Sequence, residues 1–238
     1  MQAQDLLLRV ERECKKVGLG LNAKKSKGLP LNVDSSPPLH TADGTEIEWV
    51  DDFKYLGSWV ESTEKDISVR RALAWQALNK MTSIWISSMR RDLKIRFFVS
   101  TVESILLYEC ESWTLTETME RKLNGTYTRM LRTAQNIHWS SHTTNDELYN
   151  KLPKVSDKIA SRRLGLAGHC FRHKELSAQP LVLWEPKHGH RGRGCPRASY
   201  IDTLKRDTGA ENTTELASMM AERKLWRGRV VSRLSPTK

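Results

Sequence analysis

Beyond residue 62 the chain places apolar side chains at helical spacing in one segment after another; before it, the runs are short and broken by turns. Residues 67–86 carry Ile67, Leu73, Ala74, Ala77, Leu78, Met81 and Trp85, and residues 92–109 carry Leu93, Phe97, Val102, Ile105 and Leu106. Each stripe must be buried against another element, so the spacing predicts a helical assembly. Thr116 is a cap for a third helix through "TLTETMERKLNGTYTRMLRTAQNI", weakened at Gly125. "TTNDELYNKLP" reads as a short helix stopped by Pro153, and Ser156 as the cap of a helix running to about residue 174. Residues 186–198 read as a loop, and 213–234 as a last helix.

The first 62 residues follow another pattern. Leu6, Leu7, Val10, Cys14 and Val17 mark a helix, with Gly18 as its stop. "LGLNAKKSKGLPLNV" reads as turn plus strand, and "SSPP" as a loop. Asp43-Gly44 lies between two strand candidates, a strong hairpin signal. "FKYLGSWV" reads as a further strand, with Phe53, Tyr55 and Gly57 on one face and Lys54 and Leu56 on the other. These strands are too few for an independent sheet, so a piece of a larger sheet is expected. The fold class is α+β, mainly α. Three segments follow: 1–62 with the hairpins, 63–150 helical, and 151–238 helical and basic.

Charge separates the segments further. The net charge is +11, and residues 151–238 hold 19 Lys/Arg against 8 Asp/Glu, so the whole excess sits there. A polyanion is the partner such asymmetry implies. Apolar content of 38% and charged content of 28% suit a globular chain rather than a disordered one. Cys14, Cys110, Cys170 and Cys195 are scattered, the N-terminus is charged, and no apolar run approaches the length of a membrane span. The expectation is an intracellular chain with free thiols and no membrane contact.

The order of several motifs carries a resemblance. "DGTEIEWVDDFKYLGSWV", "SVRRALAWQALNKMTSIW", "LLYECESWTL", "NIHWSSHTTNDELYNKLP", "RRLGLAGHCFRH" and "RGRGCPRASYIDTLKRDTG" follow one another over nearly the whole chain. The run resembles the region after the catalytic motif in reverse transcriptases of LINE-type (non-LTR) retrotransposons. The resemblance implies that residues 1–60 are the end of a polymerase palm, 66–136 a thumb, and the remainder a C-terminal nucleic-acid-binding region. "KKSKGL" is similar to the palm's late lysine-bearing strand. Phe53, Tyr55, Leu56 and Gly57 are similar to the hairpin that grips the primer end. Departures are Glu109 where the family usually has Gly, Cys195 where it usually has Arg, and Tyr200 where it often has Trp. The family's metal-binding motif, an aromatic residue, Ala and two Asp, would precede residue 1, and the missing palm and fingers would complete the polymerase. Mg2+ is therefore implied for the family polymerase, and no cofactor or catalytic residue for this chain.

Asp51 and Asp52 are the carboxylates that most resemble a metal pair. Consecutive strand residues point to opposite faces, so these two are expected to mark the start of a strand instead. Lys24, Lys25 and Lys27 form a short basic run, usually a solvated face; by resemblance, one of them approaches a nucleotide phosphate. Cys170, His173, His190 and Cys195, with His169 and His188, are the zinc-like set. Their second half lacks a paired spacing, which favours a nucleic-acid face of His and Arg over a metal. Lys187, Arg191, Arg193 and Arg197 in the Gly-rich loop, with Lys205 and Arg206, are the candidate phosphate contacts. Trp184 and Tyr200 flank that loop, either to stack on bases or to anchor it to the adjacent helices. The sequence lacks Gly-x-x-x-x-Gly-Lys, His-Glu-x-x-His and any evident nucleophile–base set, so hydrolase and NTPase readings have no support.

Three readings follow. The chain is a C-terminal part of a reverse transcriptase that binds RNA or DNA without polymerising alone; or a non-catalytic helical module, a co-opted element that binds nucleic acid or protein; or an incomplete gene model of an active reverse transcriptase.

Overall fold

The computed structural model describes residues 3–30, 36–59, 62–185 and 199–234. The chain forms two compact units, residues 1–62 and 63–238. The class is mainly α with small antiparallel sheets.

The first unit opens with α1 (Ala3–Lys16). Its side chains reach the first hairpin, β1 (Leu39–His40) with β2 (Glu46–Ile47). The Gln4 amide donates to the His40 carbonyl at 2.7 Å and accepts from its N–H at 2.9 Å. Buried Glu11 accepts from the Ala42 N–H at 2.7 Å. The hairpin expected at Asp43-Gly44 forms: Thr41 donates its N–H to the Thr45 carbonyl, and Gly44 takes a φ of +83°. The Thr41 hydroxyl and the Thr45 N–H donate to Asp43, which lowers its carboxyl to about 2. Leu39 and Ile47 are buried, whereas Leu6, Val10 and Val17 of the helical stripe remain exposed.

Two expectations in this unit change. "KKSKGL" forms a turn and then one parallel bridge, Gly28 to Trp49, rather than a strand. "FKYLGSWV" is not one strand but a hairpin, β3 (Lys54–Tyr55) with β4 (Ser58–Trp59). Leu56 and Gly57 have φ of 49° and 98°, the two positive values that a type I′ turn needs. The turn reverses the chain, so Phe53, Tyr55 and Gly57 do not line one face of one strand.

The second unit is helical. It runs through α2 (Thr63–Lys80), α3 (Thr82–Ile86), α4 (Arg91–Phe98), a π turn at Val99–Glu103, α5 (Ser104–Leu106), a 3-10 turn at Cys110–Ser112, and α6 (Glu117–Ala134). A 3-10 turn at Trp139–Ser141, α7 (Asn145–Tyr149), α8 (Val155–Arg172), α9 (Gln179–Val182), α10 (Tyr200–Thr208), α11 (Thr213–Ala221) and α12 (Arg223–Ser232) complete it. Thr116 caps α6 as expected, its hydroxyl accepting from the Met119 N–H at 3.3 Å. Thr144 and Ser199 build capping boxes with Glu147 and Asp202. Ser156 is not a cap: it lies inside the first turn of α8, where the Asn124 side chain accepts its N–H and donates to its hydroxyl. A partner on α6 thus does locally what a cap would do.

Two apolar clusters fill this unit. Trp85, Phe98, Val102, Leu106, Trp113, Leu123, Tyr127 and Met130 belong to the first. Leu164, Ala167, Leu204, Leu216, Met220 and Trp226 belong to the second. Helix α8 joins them, with Val155 and Ile159 in one and Leu164 and Ala167 in the other.

Candidate nucleic-acid interface

Most cations of α8 and α10 are committed to holding the fold. Arg163 is buried, with Nε and Nη2 donating to Asp207 at 2.9 and 2.6 Å and Nη1 to the Trp113 carbonyl at 2.6 Å. Its neighbour Arg162 donates to the Leu107 carbonyl at 3.1 Å. Trp113 in turn donates its indole N–H to buried Asp66 at 2.8 Å. Three motifs distant in sequence, "LLYECESWTL", "RRLGLAGHCFRH" and "TLKRDTG", therefore meet around one buried guanidinium. A charge so buried is tolerable only because it is paired and its donors are satisfied.

Lys205 and Arg206, expected at phosphates, have intramolecular partners. Lys205 lies 3.4 Å from Glu185, and Arg206 donates to Glu120 at 2.7 Å and to the Leu115 carbonyl at 3.2 Å. Tyr200 packs against the second cluster, and burial pushes its phenol up to about 12. Of the two roles open to it, anchoring is the one its packing serves. Trp184 is exposed. Lys187, Arg191, Arg193 and Arg197, with His188, His190 and Cys195, lie outside the described residues.

Helix α12 presents cations differently. Trp226 is buried and donates its indole N–H to the Leu164 carbonyl at 2.8 Å, which fixes the roll of the helix on α8. Arg223, Lys224, Arg227 and Arg229 are then exposed, and their side chains have no hydrogen bond or ion pair among the described residues. Arg172 at the end of α8 donates to the Met220 carbonyl at 3.0 Å. Partial burial and the like charge of Arg223 lower its guanidinium below the ordinary value. His169 and His173 stack nearby along α8, ring centroids 4.3 Å apart, and exposed Lys174 follows.

The sequence pattern missed this helix because it ran 213–234 together as one. The chain breaks at Glu222, with φ −86° and ψ 100°, and the break gives α12 its own orientation. The basic run 223–229 was the signal that marked it.

The remaining candidates are placed as follows. Tyr55 and Leu56 are exposed at the tip of the second hairpin, and Phe53 is half-buried before it. Lys27 pairs with Glu48, while Lys24 and Lys25 are exposed. Asp51 and Asp52 are exposed ahead of β3. Among the described residues no group of three or more His, Cys, Asp or Glu side chains is placed to hold a metal ion. Asp51 and Asp52 are therefore not part of such a group. His173 donates from Nδ1 to the Glu175 carboxylate at 2.7 Å. No helix among the described residues is long and apolar enough to cross a membrane.

Comparison with family models, with curated proteins and with solved structures gave no match.

Proposed function

We propose that this chain is a C-terminal part of a LINE-type reverse transcriptase that binds RNA or DNA and does not polymerise by itself. The observation that carries the nucleic-acid reading is the run of exposed cations on α12, Arg223, Lys224, Arg227 and Arg229, whose side chains have no ion pair among the described residues. Like charges kept close cost stability, and a phosphate backbone relieves that cost. The ordered run of motifs supports the family assignment. So does the meeting of three of them at Arg163, which gives those stretches a common structural task. The exposed Tyr55–Leu56 tip suits the primer-end role that the resemblance assigns to that hairpin.

Fluorescence anisotropy on single-stranded RNA and DNA across a salt series tests the reading. Each phosphate neutralised contributes about 0.7–0.9 to the log–log salt slope. Replacing Arg223, Lys224 and Arg227 together by Ala is expected to flatten the slope by about 2–3 and to weaken all sequences alike. The same measurement on the Arg191, Arg193 and Arg197 triple variant apportions the contacts between helix and loop. Binding that is absent at low salt, or insensitive to both triple variants, sinks the proposal.

A further inference from the structure

The turn that follows α6 holds the most exposed large apolar side chain among the described residues. Trp139 is 80% exposed. An indole in water forgoes about 2–3 kcal/mol of burial, part of which a flat ligand stacked on it would recover.

The backbone beneath it is held by many bonds. The Ser141 hydroxyl donates to the His138 carbonyl at 2.7 Å and pairs with the Thr143 hydroxyl at 2.9 Å. His138 Nδ1 pairs with the Ser140 hydroxyl at 2.7 Å. From α6, Arg132 donates to the Thr143 carbonyl at 2.9 Å and to the Asn145 side chain at 3.0 Å. The platform is therefore fixed before any ligand arrives, which lowers the entropic cost of stacking on it.

The His138 ring lies 5.4 Å from the indole, tilted by 45°. It also forms a wall of a concavity of about 210 Å³ between α3 and the end of α6. Trp85, Ile86 and Ile137 make the apolar part of that concavity, and Asn136 its polar rim. Asn136 has a φ of +54° at the end of α6, and its amide has no partner among the described residues. An amide carries both donors and an acceptor, the set that reads the edge of a base.

We propose that residues 136–142 form a stacking site for unpaired bases of single-stranded nucleic acid, one base on Trp139 and its neighbour in the concavity beside His138. The inference rests on the nucleic-acid reading above and names the form of the partner. A single aromatic among Ser140, Ser141, Thr143 and Asn145 suits a flat polar heterocycle. An apolar protein helix would need a wider hydrophobic patch. Exposed Arg129 on α6 adds positive charge for the adjoining backbone.

The test is anisotropy of the full chain on two strands of equal length and charge, one bearing bases and one abasic. Trp139→Ala is expected to bind the base-bearing strand about tenfold more weakly, with Trp139→Phe keeping most of the affinity. Abasic binding and the salt slope should not change, because stacking releases no counterions. Thermal melting should match the parent, since the indole is exposed. Trp139→Ala binding the base-bearing strand as tightly as the parent overturns the site. So does an equal loss on both strands. If the parent binds neither strand, the proposed function fails and the stacking site falls with it.

Discussion

The indole of Trp226 occupies the space in which a side chain on Gly168 would begin. A Cβ at Gly168 would lie 2.1 Å from the indole Nε1 and 2.9 Å from the Arg172 guanidinium. Glycine in a helix interior ordinarily costs about 0.5–1 kcal/mol against alanine. Here the close approach of α12 to α8 reverses the sign. Gly168→Ala is expected to destabilise by about 1–3 kcal/mol, as overpacking does. Gly125 on α6 meets nothing within 4 Å, so Gly125→Ala should stabilise by about 0.5–1 kcal/mol. Urea unfolding of both variants checks the pair; a stabilised Gly168→Ala would mean that α12 does not pack there.

Glu109 takes a φ of +57° at the start of the 3-10 turn, with its side chain making no hydrogen bond among the described residues. The left-handed region costs a non-glycine residue about 1–2 kcal/mol. After the entropy that glycine loses, Glu109→Gly should stabilise by about 0.5–1 kcal/mol. Differential scanning calorimetry should show a Tm a few degrees higher. A fall in Tm would mean that the carboxylate has a stabilising contact.

The π turn directs Glu103 into the core, where its carboxylate accepts from the Tyr127 hydroxyl and from Lys158 at 2.5 Å. Lys158 also reaches the Tyr127 oxygen at 3.0 Å. Burial, and then the Glu103 charge, push the Tyr127 phenol well above its ordinary range. Removing one member leaves the others buried and unpaired. Glu103→Gln and Lys158→Met are each expected to cost about 3–5 kcal/mol, and the double variant less than their sum. A double-mutant cycle measured by chemical denaturation decides it; strict additivity would show that the three groups do not act together.

Cys110 opens the 3-10 turn and is buried, and burial, then the Glu111 charge, push its thiol up to about 12. A thiol that keeps its proton is a poor nucleophile. At pH 8 iodoacetamide should label Cys14 and Cys170, both half-buried, well before Cys110. The folded pKa lies above the unfolded one. The group's contribution is therefore complete below about pH 9 and is lost at about 1.4 kcal/mol per unit up to about 12. Peptide mapping by mass spectrometry after timed alkylation reads the order of labelling. Rapid labelling of Cys110 in the folded chain would contradict its burial.

Local chemistry made several elements legible. Asp43-Gly44 demanded a tight hairpin, Thr116 a helix start, and the apolar stripes of 67–86 and 116–137 helices with a buried face, because each signal acts within a few residues of itself. The helix ends were less legible. Met81 parts α2 from α3, and a π turn interrupts the helix expected over 92–109. Such breaks answer to what lies across the core. Helix α10 falls within the segment expected to be helical, but its ends were not marked, although Ser199, Asp202 and Gly209 are the cap residues it uses.

Composition and order alone determined the mainly helical class and the concentration of positive charge in residues 151–238. Which cations remain available to a ligand was a matter for the tertiary structure. Lys205, Arg206, Arg162 and Arg163 read as equivalent to Arg223 and Arg227 in one dimension. Folding brings Glu185, Glu120, Asp207 and the carbonyls of Leu107, Trp113 and Leu115 to the first group, and none of these to the second. A charge in sequence has no partner until distant segments meet. Trp139 shows the same rule for apolar surface: its neighbours along the chain could not show that it would stand exposed.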